Sequence, residues 1–143
     1  MTTTTDIQNE IIENFSLFEG DMESTLFYLM DLGKKLPVMP TNLKTEDYIV
    51  KGCQSKVWVF PSLVEGKVQF EADSNTEITK GLVYLLWSIW NNRTPQEVLD
   101  TELVFIDKIG MSRMIGSQRS NGFASMIKQM KLYALAYKST NNL

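Results

Sequence analysis

Residues 77–91 constrain the fold of this chain more than any other segment, because they form a helical pattern that is apolar on nearly every side. Ser74 and Glu77 stand at the spacing of a capping box, in which a serine caps the helix and a glutamate follows three residues later. A helix with no polar face is stable in water only when other elements cover it. The sequence therefore predicts one central buried helix that the rest of the chain has to enclose.

Two segments before this helix have the pattern of β-strands. Residues 67–72 alternate apolar and polar side chains, and residues 56–60 are rich in β-branched and aromatic residues. The Glu-Gly pair at 65–66 is a signal for a hairpin turn. We expect these two strands to pair, with a third short strand at residues 48–50.

Helical spacing of apolar residues predicts further helices on both sides of the hairpin. The expected helices are residues 6–17, residues 22–33, a short helix that begins at the capping box of Thr94 and Glu97, residues 102–109 and residues 118–138. Residues 1–5 are expected to form a frayed, disordered tail, with Thr5 and Gln8 at capping-box spacing, while prolines make residues 36–51 irregular. The order of elements predicts a single α+β domain over residues 1–143, with a small antiparallel sheet of about three strands packed against helices.

The counts of two residue types exclude most familiar active sites. The 143 residues include one cysteine and no histidine, which rules out an internal disulfide, a zinc site of cysteine and histidine, and any catalytic triad that needs a histidine. An unpaired cysteine is typical of a reducing compartment such as the cytoplasm. The polar N-terminus lacks the basic segment of a signal peptide, and the most apolar run, residues 82–90, is about half of a bilayer span, so no membrane is expected.

Charge is divided unevenly along the chain. Residues 1–107 have eight basic and 17 acidic side chains, whereas residues 108–143 have six basic side chains and no acidic one. Such a segment is either a helix with a solvated basic face or a docking surface for an acidic partner or a nucleic acid. No motif typical of nucleic-acid binding accompanies it. We therefore expect part of this surface to dock an acidic partner and the rest to be solvated.

Cys53 is the one strong nucleophile in the chain. It follows Gly52 and a long irregular segment, and it precedes a predicted strand, which places it on a loop anchored by rigid structure. Lys51 and Lys56 flank it, and nearby cations favour the thiolate, the form that attacks. The alternative is that Cys53 is a small buried hydrophobe, as free cysteines often are. These residues alone leave both interpretations open.

Two other polar positions are weaker candidates. Arg119, in the sequence RSNG at 119–122, either reaches an anion or thiolate or lies on the surface at the start of the last helix. Asp73 most simply marks the end of a strand. No base is evident beside Cys53, so a protease-like mechanism lacks its proton acceptor. Thiol exchange needs no such base, because it requires only a thiolate, an accessible sulfur electrophile and a leaving thiol.

Residues 52–58, GCQSKVW, resemble the GCQSxVW signature of the SufE family, which includes CsdE-like relatives. Further matches to this family occur in the same order along the chain: Leu36-Pro37, Ala72-Asp73-Ser74 with Lys80-Gly81-Leu82, Thr94-Pro95-Gln96-Glu97, and Arg119-Ser120-Asn121-Gly122. The resemblance covers residues 10–138, which is nearly the whole chain.

The resemblance implies a fold similar to that of the IscU scaffold and a role in iron–sulfur cluster assembly. SufE-like proteins accept sulfur from the persulfide of a PLP-dependent cysteine desulfurase of the SufS type and pass it to the SufBCD scaffold. The PLP therefore belongs to the partner, and no cofactor is expected here. Cys53 is implied as the persulfide carrier. The residues expected to support it are Lys51, Gly52, Gln54, Ser55, Lys56, Asp73 and Arg119.

Several alternatives stay open at this point. The chain could be a CsdE-like acceptor that serves a different desulfurase, a stand-alone thiol enzyme, or an interaction module that uses the basic C-terminal segment. The missing histidine disfavours a stand-alone thiol enzyme. We expect an activator of a desulfurase that is a monomer or a weak homodimer and binds no nucleic acid.

One departure from the family pattern concerns the cysteine loop. The family usually has a second aspartate after Asp-Ser, whereas this chain has Asn75 followed by Thr76. That position lies near the cysteine loop in the family, so the mobility of the loop is expected to differ. We also expect an apolar cavity to shelter the persulfide between transfers, and the loop at residues 36–52, with Gly52 as a hinge, to swing out and present it.

Overall fold

The computed structural model describes residues 2–141 and confirms the α+β fold, with helices packed around a small antiparallel sheet. Two single turns of 3₁₀ helix, Thr41–Leu43 and Glu46–Tyr48, lie in the segment before the sheet. The longer elements are α1 (Thr4–Ser16), α2 (Met22–Gly33), β1 (Val57–Val64), β2 (Lys67–Ser74), α3 (Glu77–Trp90), α4 (Pro95–Asp100), α5 (Phe105–Lys108) and α6 (Met111–Asn141).

Helix α3 is the central buried helix, as its apolar sequence predicts. Leu82, Leu86, Ile89 and Trp90 are fully buried. Helix α2 and strand β2 cover most of α3, and α1 and α6 complete its surroundings. The Trp87 indole N–H donates to the carbonyl oxygen of a β2 residue at 3.0 Å and so ties the helix to the sheet. Because α3 has neighbours on all these sides, its position sets where the other elements lie.

Helices α2 and α3 approach each other through two glycines. A Cβ atom at Gly81 would overlap the backbone carbonyl of Leu29 on α2, and one at Gly33 would lie 2.9 Å from the backbone nitrogen of Gly81. Real Cβ atoms do not approach backbone that closely. The two helices therefore pack backbone against backbone at this crossing, a distance that only glycine permits.

Strands β1 and β2 form the antiparallel hairpin that the sequence predicts. They pair from Val57 with Ser74 to Val64 with Lys67. The turn at Glu65 and Gly66 has positive φ angles of 52° and 80°, which suit the two-residue turns that match the twist of paired strands. One face of the hairpin packs into the core.

The expectation of a third strand at residues 48–50 is wrong for the described residues, in which the sheet has two strands. Ile49 forms a single bridge with Trp58, and the Val50 N–H donates to the carbonyl oxygen of Val57 at 2.8 Å. A 3₁₀ turn ends at Tyr48 and another turn begins at Lys51. These two turns leave too few extended residues for a strand.

Helix α1 begins earlier than predicted. Thr3, and not Thr5, is its cap: the Thr3 hydroxyl accepts from the Asp6 N–H at 3.1 Å, and the Asp6 carboxylate accepts from the Thr3 N–H at 2.9 Å. Arg93 donates to the Thr2 carbonyl at 2.6 Å. Helix α1 and its cap therefore take in Thr3, Thr4 and Thr5 of the expected tail, and Met1 lies outside the described residues.

The two capping boxes predicted in the middle of the chain have different outcomes. The box of Thr94 and Glu97 is confirmed, with Pro95 in the first helical turn of α4. The box of Ser74 and Glu77 is wrong, because Ser74 is the last residue of β2 and Thr76 is the N-cap of α3 without a side-chain cap bond.

Helices α5 and α6 also differ from the prediction in their bounds. Helix α5 has four residues, fewer than the predicted residues 102–109, and α6 begins at Met111. Gly116, with φ 81° and ψ 172°, breaks α6 just before the predicted start at residue 118. The long part of α6 buries Phe123, Met130 and Ala134 in the core. Within residues 2–141, no helix is both long and apolar enough to cross a bilayer.

The crossing of α2 and α3 generates a test of the fold. Alanine normally stabilises a helix interior relative to glycine by roughly 0.5–1 kcal/mol. At Gly81 we expect the opposite sign, because the added methyl group overlaps the Leu29 carbonyl. Gly81→Ala should lower the free energy of unfolding by about 1–3 kcal/mol in urea titrations. A gain in stability would contradict the close helix crossing.

Candidate functional site

Cys53 lies between a turn at Lys51-Gly52 and the start of β1, and it packs against α6. Its thiol donates to the backbone carbonyl of Gly122 at a sulfur–oxygen distance of 3.4 Å. A Cβ atom at Gly122 would lie 3.3 Å from the sulfur. The glycine in the sequence RSNG thus gives the thiol its close seat on the helix, although the two residues are 69 positions apart.

Gly52 is required by both conformation and space. Its φ angle of 95° lies in the region that favours glycine. A Cβ atom there would lie 2.6 Å from the hydroxyl oxygen of Ser125 on α6. The cysteine loop therefore touches α6 at two successive positions, Gly52 against Ser125 and Cys53 against Gly122.

A group of hydroxyls holds the other side of the cysteine loop. The Ser55 hydroxyl lies 2.7 Å from that of Thr76 and accepts from the Thr79 hydroxyl at 3.3 Å. Asn75 adds two bonds: its side-chain oxygen accepts from the Lys56 N–H at 2.9 Å, and its own N–H donates to the Lys56 carbonyl at 3.2 Å. These bonds fasten the end of the loop to the start of α3.

The Thr76 hydroxyl explains the missing cap of α3. It bonds to Ser55 on the cysteine loop, and α3 has no side-chain cap bond. Asn75 and Thr76, the two residues that depart from the family pattern, therefore both contact the cysteine loop directly. The expectation that this position bears on the loop has a physical basis in these contacts.

A small cavity of about 80 Å³ opens beside the thiol. One water molecule takes up roughly 30 Å³ in the liquid, so the cavity has room for at least one added heavy atom on the thiol. Its lining is mixed polar and apolar, and Arg119 is exposed at its edge. The lining residues are Cys53, Gln54, Ser55, Thr79, Leu82, Gln118, Arg119, Gly122 and Met126.

The thiol is held mainly in its neutral form. Burial raises the pKa of Cys53 above its ordinary value of 9.0. Lys51 and Lys56 are exposed, and burial is the one resolved influence on this pKa. The expectation that these lysines favour the thiolate therefore has no support in this conformation.

Asp73 is part of an ion-pair cluster and does not line the cavity. Its carboxylate lies 2.5 Å from the Lys44 ammonium and 3.3 Å from that of Lys80. Burial raises the pKa of Asp73, but the hydrogen bonds from Lys44 and from the Ser74 N–H, together with both cations, outweigh it and hold the pKa below 3.8. The Lys44 ammonium also lies 5.7 Å from the centre of the Trp58 ring. Asp73 thus ties the segment before the cysteine loop to the end of β2.

The structure brings together four of the predicted site residues, Cys53, Gln54, Ser55 and Arg119, around one cavity. The cavity is also lined by residues that the sequence does not single out, namely Thr79, Leu82, Gln118 and Met126. Gln118, Gly122 and Met126 follow one another at four-residue spacing, which indicates a shared helix face. That spacing does not reveal what the face contacts.

Other parts of the described chain offer less chemistry. A larger cavity of about 370 Å³ lies between the end of α1, the start of α2 and the α5–α6 junction, lined in part by Phe15, Met22 and Arg113. Its lining includes no cysteine. Within residues 2–141, no cluster of three or more His, Cys, Asp or Glu side chains is arranged to hold a metal ion.

Comparison with known proteins gives concordant results. Residues 9–134 match the family model described as "SufE: Fe-S metabolism associated domain". An uncharacterized SufE-like protein of Rhizobium meliloti is 33% identical over 86% of this chain and 91% of its own length. An uncharacterized SufE-like protein of Synechocystis is also 33% identical, over 90% of this chain and 80% of its own length. The solution structure of a hypothetical protein from Thermus thermophilus has a similar fold, with a TM-score of 0.76, 18% identity, and coverage of 93% of this chain and 96% of its own.

The ion-pair cluster of Asp73 predicts a pH dependence of stability. The pKa of Asp73 is lower in the folded than in the unfolded chain, so its carboxylate stabilises the folded state at neutral pH, and this contribution is lost as the pH falls through the folded pKa. Asp73→Asn should lower the free energy of unfolding by about 1.5–3 kcal/mol at pH 7. The difference from wild type should disappear at strongly acidic pH.

The exposed pair of Asp31 and Lys34, 3.3 Å apart, supplies the matched control for that measurement. Surface pairs contribute about 0–1 kcal/mol, so Asp31→Asn should change stability little at any pH. Equal effects of the two substitutions in urea titrations would contradict a special role for Asp73.

The half-buried thiol of Cys53 predicts slow alkylation. At pH 8 the folded protein should react with iodoacetamide more slowly than the same protein unfolded in urea, because burial lowers both the thiolate fraction and the access of the reagent. The rate in the folded protein should continue to rise above pH 9. Equal rates for the folded and unfolded protein would show that Cys53 is not sheltered.

Proposed function

The chain belongs to the SufE family of iron–sulfur metabolism, and we propose that it carries sulfur on Cys53. In this role Cys53 receives the sulfur from a PLP-dependent cysteine desulfurase of the SufS type. It then delivers the sulfur to a scaffold of the SufBCD type. The observation that carries this proposal is the cysteine itself: one cysteine in the chain, seated beside a cavity with room for an added sulfur atom. In this role the protein stimulates the desulfurase, because it removes the product sulfur from that enzyme.

The transfer conserves both atoms and electrons. The thiolate of Cys53 attacks the outer sulfur of the desulfurase persulfide, the sulfur–sulfur bond of that persulfide breaks, and the desulfurase cysteine leaves as a thiolate. The new persulfide is on Cys53. No oxidant, reductant or cofactor of this protein takes part, since PLP remains in the partner that cleaves the carbon–sulfur bond.

The cavity suits a persulfide more than it suits a small-molecule substrate. With about 80 Å³ it has space for an extra sulfur atom on Cys53, whereas typical ligand sites measure roughly 300–1,000 Å³. Its polar lining of Gln54, Ser55 and Thr79 can donate hydrogen bonds to a persulfide anion, and Arg119 at the edge supplies a positive charge. Arg119 is thus the residue that we assign to charge stabilisation during transfer.

A stand-alone thiol enzyme is the weaker candidate. The residues that line the cavity include no carboxylate, lysine or histidine that could act as a general base. Cys53 therefore has no partner among them that would accept its proton. A CsdE-like route through another desulfurase uses the same cysteine and the same chemistry. The proposal places the protein in a reducing compartment such as the cytoplasm, as a monomer or weak homodimer, without a role in nucleic-acid binding.

Mass spectrometry tests the function directly. After incubation with a SufS-type desulfurase and cysteine, the wild-type protein should gain the mass of one sulfur atom, and the gain should be reversed by a reducing thiol. Cys53→Ser should gain none and should no longer stimulate the desulfurase, since a hydroxyl does not form a persulfide. Its thermal unfolding should match that of the wild type. A wild-type protein that gains no sulfur would overturn the proposal.

A further inference from the structure

We infer that one exposed face of α6 is the surface on which the sulfur-donating desulfurase docks, through an acidic surface that also presents apolar side chains. This inference rests on the proposed function and names where its first partner binds. The α6 face consists of four exposed residues, Asn121, Lys128, Leu132 and Leu135, and the half-buried Ser125.

Helical geometry places these five residues on one side of α6. Their spacings of four, three, four and three residues match the helical repeat, and the side that is buried in the core contains Phe123, Met130 and Ala134. From Ser125 to Leu135 the face extends about 15 Å, at about 1.5 Å per residue.

The α6 face begins at the cysteine loop. Gly52 lies so close to Ser125 that an added Cβ would approach the serine hydroxyl to 2.6 Å, and Cys53 contacts Gly122 one turn earlier. A protein that brings its own reactive sulfur to Cys53 has to cover this loop. The same protein then lies directly beside Lys128 and Leu132, because these residues follow Ser125 along the same side of the helix.

The charge on this part of the chain lacks compensation. Residues 108–143 have six cationic side chains and no anionic one. Within residues 2–141, the ion pairs take their cations from Lys34, Lys44, Lys80 and Arg93. Lys128 is exposed on the α6 face and has no ion pair among those residues. A surface of this kind attracts an acidic partner and speeds its association.

Apolar groups on the same face favour a protein partner over a nucleic acid. Leu132 and Leu135 are 47% and 48% exposed, a large fraction for leucine side chains beside a lysine. Protein interfaces combine such apolar groups with charged ones at the rim, whereas a phosphate backbone offers leucine nothing to contact. The chain as a whole has a net charge of −3, which also disfavours non-specific binding to nucleic acid.

The state of the thiol selects the sulfur donor over the sulfur acceptor as the occupant. The described surface is that of the free thiol, in which Cys53 donates to the Gly122 carbonyl and the cysteine loop lies against α6. The donor meets the protein in this state, whereas the scaffold meets it only after the persulfide has formed and the S–H donor is gone. The cysteine loop together with the adjoining α6 face is therefore the surface that the donor desulfurase encounters.

Kinetics of the desulfurase at varied carrier concentration test this inference. Lys128→Glu should raise the apparent KM for the carrier by about tenfold at low salt, with kcat nearly unchanged, because rim charges act mainly on association. Leu132→Gln should raise the same KM at both low and high salt, since the lost contact is apolar. Both variants should keep the thermal unfolding of the wild type, as their side chains are exposed.

Lys67→Glu is the matched control, because it makes the same charge change at an exposed site. Lys67 pairs with Val64 at the turn of the hairpin, and Val57 at the opposite end of β1 adjoins the cysteine loop. The eight residues of β1 make seven steps of about 3.3 Å, which puts roughly 23 Å between these ends. Lys67→Glu should leave the KM within twofold of wild type.

The possible outcomes separate the two proposals. Equal effects of Lys128→Glu and Lys67→Glu, with normal sulfur transfer by the wild type, would overturn the docking surface and leave the carrier function standing. Failure of the wild type to accept sulfur would overturn both. If Lys128→Glu abolished salt-dependent binding of a duplex oligonucleotide and left the KM unchanged, the surface would be a nucleic-acid site, which would also overturn the inference.

Discussion

The burial of α3 is the constraint from which the rest of this structure follows. A helix that is apolar on nearly every side has to be enclosed. Here α2 packs against α3 at a distance that two glycines permit, and strand β2 of the hairpin packs against another side of α3. The hairpin then brings the start of β1 to the N-terminal end of α3. Helix α6 covers the remaining side, so the loop before β1 has no place other than the junction of α3 and α6. The cysteine is located by the same packing that stabilises the core.

The seat of Cys53 is built from small groups. Gly52 and Gly122 allow the cysteine loop to approach α6 closely. At the other end of the loop, hydrogen bonds involve the hydroxyls of Ser55, Thr76 and Thr79 and the side-chain amide of Asn75. None of these groups carries charge, and burial leaves the thiol mostly protonated at rest. This arrangement suits a carrier better than a catalyst: a catalyst needs a nucleophile that is always active, whereas a carrier benefits from a thiol that reacts only when a partner is present.

Local signals in the sequence predicted local structure well and long-range contacts poorly. The turn at 65–66 and the cap at Thr94 are decided by neighbouring residues, and both were predictable. The cap at Ser74 was not, since Thr76 occupies the cap position and its hydroxyl bonds to a loop 21 residues away. Likewise, the seat of Cys53 against Gly122 depends on tertiary packing that no spacing reveals. The importance of Cys53 was predictable only from a family signature. Lys51 and Lys56 are close to Cys53 in sequence, yet burial is the one resolved influence on the pKa of its thiol.

The backbone hydrogen bond between Val50 and Val57 limits how far the Cys53 sulfur can move. The bond from the Val50 N–H to the Val57 carbonyl closes the neck of the cysteine loop, and Val50 is buried at 4% exposure. Two residues, Lys51 and Gly52, lie between Val50 and Cys53, and three fully extended residue steps span about 10 Å. While the neck holds, the sulfur cannot travel deep into another protein. The reach needed to join two active sites therefore has to come from the partner, whose own cysteine must extend to the surface of this molecule.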